Sequence, residues 1–262
     1  MARLRRPTAA GAFYPSDPAA LESVLDDLLQ STRTERAARA PRGLIVPHAG
    51  YRFSGPIAAS AYALLVDGKR AIDRVVLLGP AHFVNLDGAA VPEATGWHTP
   101  LGVVSIDHNL VRRAQSLGAA VDDKSHAPEH ALEVQMPFLQ FVLGNEVPML
   151  PVAVGVAEPA RVADLLDGLV EPGVLLVVST DLSHYEDDET AKRLDRRTAE
   201  AITARASDAV GLRDACGFFA VRGLVEWSRR GGLPIRLLDL RTSADTAGDR
   251  SRVVGYGAFA LA

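Results

Sequence analysis

Five of the seven histidines in this chain sit in five short motifs whose residue types suit metal binding or proton transfer. These are Val46-Pro47-His48-Ala49-Gly50-Tyr51, Gly79-Pro80-Ala81-His82, Ser125-His126, Glu129-His130-Ala131-Leu132-Glu133 and Ser179-Thr180-Asp181-Leu182-Ser183-His184. Imidazole is the commonest metal ligand and titrates close to neutral pH, so such a set can hold an ion or move a proton. Two of the motifs follow apolar runs directly, which is how a polar site is mounted on the rim of a rigid sheet. Each motif also has a plainer reading. A histidine past a strand serves as a hydrogen-bonded turn residue, Asp181 caps the next helix, Glu129 and Glu133 form a solvated helical face, and the lone Cys216 packs as a small hydrophobe.

The elements that must position these residues are legible from periodicity. Ser16-Asp17-Pro18 opens a helix over about 18–31, and a charged, alanine-rich connection over 32–42 leads to a strand at 43–47 that delivers His48. A helix over 55–65 precedes a buried strand at 74–79 and then His82. Helices follow at 108–117 and at 130–143, the latter kinked or shifted by Pro137. A strand at 148–154, a helix at 158–170 and a strand at 174–180 lead to Asp181 and His184. Helices at 187–204 and 214–230 and strands at 234–241 and 253–260 complete the chain. Near-continuous apolar strands alternating with helices predict one α/β domain over 1–262, a three-layer α/β/α sandwich with a largely parallel or mixed central sheet. Sites in such sheets lie beyond the strand C-termini, where His48, His82, Asp181 and His184 all fall.

Composition narrows the function classes. The chain has 28 Lys+Arg against 32 Asp+Glu, a net charge of -4, and so lacks the basic field that draws nucleic acid. Arg3, Arg5 and Arg6 form only a short basic patch, and Pro7-Thr8-Ala9-Ala10-Gly11 follows where a signal peptide needs apolar residues. No apolar run approaches the roughly 18 residues of a membrane span. A single cysteine excludes an intrachain disulfide and fits a reducing cytoplasm. Gly50, Gly55, Gly79 and Gly217 form neither a dinucleotide fingerprint nor a phosphate-cradling loop, so no nucleotide cofactor is expected.

Taken in order, Pro47-His48-Ala49-Gly50-Tyr51, Gly79-Pro80-Ala81-His82, Glu129-His130-Ala131-Leu132-Glu133-Val134-Gln135-Met136-Pro137 and Ser179-Thr180-Asp181-Leu182-Ser183-His184 resemble the motifs of the Memo family. Bacterial and archaeal members of that family are called AmmeMemoRadiSam system protein B. The match begins near Pro7 and reaches the C-terminal strand. The family is similar in fold to the class III, non-haem iron extradiol dioxygenases, which agrees with the alternation above.

The resemblance implies a metal held by His48, His82 and Cys216, with one transition-metal ion, iron or copper first and zinc as a further option. Cys216 is expected at a helix start, where the dipole favours thiolate. The family pattern usually carries a proline soon after Cys-Gly, where this chain reads Phe218-Phe219-Ala220. By similarity to the dioxygenase segment, His184 implies proton transfer and Asp181 a ligand-orienting carboxylate, while Glu129, His130 and Glu133 would line the same cleft. The expected function is an oxidoreductase acting on a small molecule, in functional association with a radical-SAM protein. Two alternatives remain open: a non-catalytic binding module, as eukaryotic relatives that recognise phosphotyrosine peptides suggest, with Arg52 as the candidate contact, and a zinc hydrolase using His184 or Glu129 as base.

Overall fold

The computed structural model describes residues 3–32, 40–67 and 71–262, so most of the connection expected over 32–42 falls outside the described residues. In chain order the strands are β1 (Leu4–Arg5), β2 (Gly43–Val46), β3 (Arg74–Pro80), β4 (Ala89–Val91), β5 (Gly96–Thr99), β6 (Gly102–Ser105), β7 (Ala120–Val121), β8 (Met149–Val154), β9 (Val174–Ser179), β10 (His184–Glu186), β11 (Ile235–Thr242) and β12 (Val253–Leu261). The helices are α1 (Pro18–Ser31), α2 (Tyr51–Tyr62), α3 (His108–Ser116), α4 (Met136–Leu143), α5 (Pro159–Leu169), α6 (Asp188–Thr203) and α7 (Phe218–Arg230).

The main sheet runs β10-β12-β2-β9-β3-β8-β4-β7, with β11 on the other edge of β12. Its centre, β2-β9-β3-β8, is parallel, and β12 and β4 join it antiparallel on either side. The fold is therefore a three-layer α/β/α sandwich around a mixed sheet. The parallel strands are buried along nearly their whole length, which is why they read as unbroken apolar runs instead of alternating ones. Helix α7 packs on β3 and β9 and against α5, while α2 packs on β2, β11 and β12 and against α1. A small sheet, β1-β5-β6, stands beside the main one; its strands are too short to carry a period and were not anticipated.

Helix boundaries depart from expectation where they meet the site. Asp17 caps α1 by accepting from the Ala20 N–H at 2.9 Å, as its sequence predicts. Helix α2, expected from residue 55, begins four residues earlier, because the Tyr51 N–H is satisfied by the Phe13 carbonyl at 2.8 Å and the chain turns into helix straight after the His48 loop. The helix expected over 130–143 is a 3-10 turn at Glu133–Gln135 followed by α4. Pro137 lies in the first turn of α4, where its missing N–H costs nothing, so it starts that helix instead of kinking a longer one. Helix α7 begins at Phe218, four residues later than expected, which leaves Cys216 in the loop before it. Among the described residues no helix is long and apolar enough to cross a membrane.

Candidate metal centre

The register of the parallel strands sets the site. Val46 pairs with Ser179 and Leu78 with Val178, so β2, β3 and β9 end side by side. The residues that follow them, His48, His82 and Asp181, are thereby brought to one rim. His130 reaches the same rim from the loop before α4. Its ring stacks on His82 at 5.1 Å between centroids and meets His48 edge-on at 5.5 Å. One nitrogen from each of His48, His82 and His130 lies within 4.8 Å of the other two.

Glu129 fixes the orientation of His82. Its carboxylate accepts the His82 main-chain N–H at 2.7 Å, the ring Nδ1 at 2.9 Å and the Ala131 N–H at 2.9 Å. Burial pushes Glu129 up, but these donors, His82 foremost, outweigh it and hold the carboxyl below its usual range. An ionised carboxylate only accepts, so His82 Nδ1 carries a proton, which in the neutral ring leaves the lone pair on Nε2. His48 is buried, and burial followed by the neighbouring His82, His130 and His184 holds its pKa well below the ordinary value. Burial likewise lowers His130, against the opposing pull of Glu129. Both imidazoles are neutral at pH 7, the form a metal needs.

Cys216 comes within reach because Gly217 lets its loop approach β9: a Cβ at Gly217 would meet the Ser179 carbonyl at 2.9 Å and Thr180 Cβ at 2.8 Å. Cys216 Sγ stands 3.3 Å from His48 Nε2 and accepts the Asp181 N–H at 3.2 Å. The helix-dipole expectation is corrected here. Burial first, and then the Asp181 charge, push the thiol up to about 12. Cys216 ends up as a neutral thiol two residues before α7, and a bound cation would be needed to deprotonate it. Asp181 ties the two loops together: its Oδ1 accepts the His48 main-chain N–H at 2.7 Å, and its carbonyl accepts the Cys216 N–H at 3.1 Å. Its own carboxyl is raised by burial.

His184 donates from Nδ1 to the Leu182 carbonyl at 2.8 Å, which leaves Nε2 free to accept a proton when the ring is neutral. It shares a cavity of about 540 Å³ with Ser183, Glu186, Arg197, Arg213 and Cys216. The neighbouring Tyr185 adopts a left-handed backbone, φ 66°, and projects its ring to solvent while His184 turns inward.

One expected cleft residue is placed differently. Glu133 does not face the rim. Its carboxylate accepts from the Thr8 and Ala9 N–H groups, both at 2.8 Å, and from Tyr14 Oη and Arg5 Nη1, both at 2.7 Å, so it clamps the N-terminal segment. Glu129 and Glu133 consequently share no helical face. Arg52 lies with its guanidinium over the Phe53 ring at 5.6 Å. Among residues without an assigned role in the sequence, Phe13 and Phe83 flank His130 at 4.6 and 5.9 Å, and Ser179 and Gln135 stand behind His48. Phe83 adjoins a histidine motif and Ser179 and Gln135 lie within the quoted motifs, whereas nothing near Phe13 in the sequence points to it.

The donor set fits a transition-metal ion. Nitrogens bound to one tetrahedral ion at about 2.1 Å stand about 3.4 Å apart, so ring shifts on the order of an ångström close the observed cluster. Two imidazoles whose Nδ1 atoms are engaged by Ser179 and Glu129, a third ring stacked beside them and an adjacent thiol offer borderline-to-soft donors suited to iron, copper or zinc.

Comparison with known proteins finds relatives along nearly the whole chain. The sequence pattern of the family described as "Memo-like protein" matches residues 5–260. A MEMO1 family protein of Methanopyrus kandleri is 33% identical over 280 residues, covering 97% of this chain and 98% of its own. One of Thermotoga sp. strain RQ2 is 36% identical over 284 residues, covering 96% and 97%. Among solved structures, an uncharacterized protein of Escherichia coli K12 superposes with a TM-score of 0.53 at 14% identity, covering 83% of this chain and 99% of that one, a likeness of fold.

Proposed function

The chain belongs to the Memo-like protein family, and on that premise we propose that it is a metal-dependent oxidoreductase acting on a small organic substrate. The observation that carries the reading is the convergence of His48, His82 and His130 on one point at the strand ends. His48 and His82 hold the ion, iron or copper, through Nε2, and His130 and the Cys216 thiol stand beside it as further donors. A bound ion of this kind supplies Lewis acidity and one-electron chemistry.

The chain's own residues do the rest. Glu129 and Asp181 hold the two ligand loops in place. Substrate enters by the cavity that touches Cys216 and His184, and His184 Nε2 accepts or returns a proton there, its ring held by the Leu182 carbonyl. His130 orients the substrate where it does not itself bind metal. Anaerobic purification followed by elemental analysis tests the reading. One equivalent of iron or copper in the native chain and less than a tenth in the His48→Ala/His82→Ala variant is the expected result. Equal metal in both would defeat the assignment, and zinc alone would turn it towards hydrolysis.

A further inference from the structure

The hydrogen bonds behind His48 admit only one arrangement of protons. Gln135 Nε2 lies 2.9 Å from the Pro47 carbonyl and 2.8 Å from Ser179 Oγ, while its Oε1 receives Tyr62 Oη at 2.9 Å. A carbonyl can only accept, so Pro47 fixes which way the amide faces, and the second amide proton goes to Ser179. Ser179 has a single proton, and its Oγ lies 2.7 Å from the Ala131 carbonyl, a second group that only accepts. That proton is therefore spent on Ala131. The remaining neighbour of Ser179 Oγ is His48 Nδ1 at 2.9 Å, and only a proton on Nδ1 makes that contact a hydrogen bond.

We infer that Gln135 and Ser179 are positioning residues that lock His48 in its Nδ1–H tautomer, holding the Nε2 lone pair towards the metal position before any ion arrives. All four side chains are buried: Tyr62, Gln135, Ser179 and His48. Water therefore does not compete for these bonds. The two carbonyls that set the direction belong to the residues next to His48 and His130, so the same chain of bonds sets the spacing of the two loops. An imidazole free to exchange tautomers would spend part of its time with a proton where the ion must bind. The inference rests on the proposed metal reading for its purpose but not for its measurement.

The test reads the tautomer itself. Nitrogen-15 NMR of the imidazoles in the metal-free protein is expected to show His48 protonated at Nδ1 alone. Ser179→Ala removes the acceptor of that proton, and the Nε2–H form becomes populated. Gln135→Leu unpins the serine hydroxyl and moves the population the same way by less. With Zn(II) as the probe, in competition with a chromophoric chelator, Ser179→Ala is expected to weaken binding by about 10–100-fold. Finding His48 protonated at Nε2 in the unaltered protein would overturn the inference, and this needs no variant to fold. A folded Ser179→Ala that keeps both tautomer and affinity would overturn it too. A protein with the expected tautomer that takes up no metal defeats the proposed function and leaves the inference standing.

Discussion

Glu129 grips His82 twice, at the main-chain N–H (2.7 Å) and at ring Nδ1 (2.9 Å), so one buried carboxylate sets both the path of the loop and the direction of the ring. Glu129→Gln keeps the shape but places an amide where a carboxylate accepted three donors. Metal affinity is expected to fall by about 10–100-fold, with the fold intact by circular dichroism. Chelator competition measures it, and affinity within a factor of two of the native chain would remove Glu129 from the site.

Glu133 carries a different burden. Its carboxylate is fully buried and faces Arg5, whose side chain is 7% exposed, along with two backbone donors and Tyr14. Glu133→Ala would strand the buried guanidinium, a loss of about 3–5 kcal/mol of stability. Urea unfolding should show it, and a ligand set that keeps its zinc affinity in the surviving folded fraction would confirm that Glu133 acts on the N-terminal segment alone.

These two glutamates also show how far the sequence could be read. The parallel core was legible because buried strands such as the one at Val174–Ser179 run unbroken and apolar up to their last residue, and the strand-end histidines follow from it. The split of the 130–143 segment was not legible. Glu129 and Glu133 have helical spacing, yet Glu129 lies ahead of the 3-10 turn, because partners 47 and 125 residues away claim the two buried carboxylates. Periodicity reports local preference, and here tertiary hydrogen bonds outweigh it. Cys216 shows the same limit: its helix-start position suggested a thiolate, but the close approach allowed by Gly217 buries it as a thiol.

Asp195 should set part of the pH dependence of stability. Burial raises its pKa to about 6; Oδ1 accepts the Ser183 N–H at 3.0 Å, while Oδ2 is buried with no hydrogen-bond partner among the described residues. The folded chain keeps this proton longer than the unfolded chain, whose carboxyl ionises near its ordinary value. The stabilising contribution is therefore complete below about pH 4 and is lost as pH rises towards 6. Asp195→Asn is expected to match the native chain near pH 4 and to exceed it at pH 7 by up to about 3 kcal/mol, at about 1.4 kcal/mol per unit. Parallel pH profiles of the two proteins would refute this by failing to diverge between pH 4 and 6.

Gly217→Ala tests the close approach of the Cys216 loop. The added methyl would collide with the Ser179 carbonyl and with Thr180, neither of which can withdraw without disturbing β9. The loop is expected to move outward, taking Sγ out of reach of His48 and raising the rate of thiol alkylation in the metal-free protein at least tenfold. Unchanged alkylation would mean that the loop shifts elsewhere and that Gly217 is not what holds the sulfur in place.

The final prediction separates the two donors that stand beside His48 and His82. Sγ lies 3.3 Å from His48 Nε2, whereas a nitrogen of His130 belongs to the 4.8 Å cluster, so either can complete the set. Thiolate is the softer donor and favours Cu(I), while imidazole serves iron, copper and zinc alike. If the sulfur binds, Cys216→Ser should lower Cu(I) affinity by at least an order of magnitude more than Zn(II) affinity, because serine keeps the size but not the softness. If His130 is the third donor, His130→Ala should lower both affinities together and Cys216→Ser should change neither. Paired titrations of the two variants with Cu(I) and Zn(II) decide between these arrangements. Retention of both affinities in both variants would show that His48 and His82 bind the ion without either neighbour.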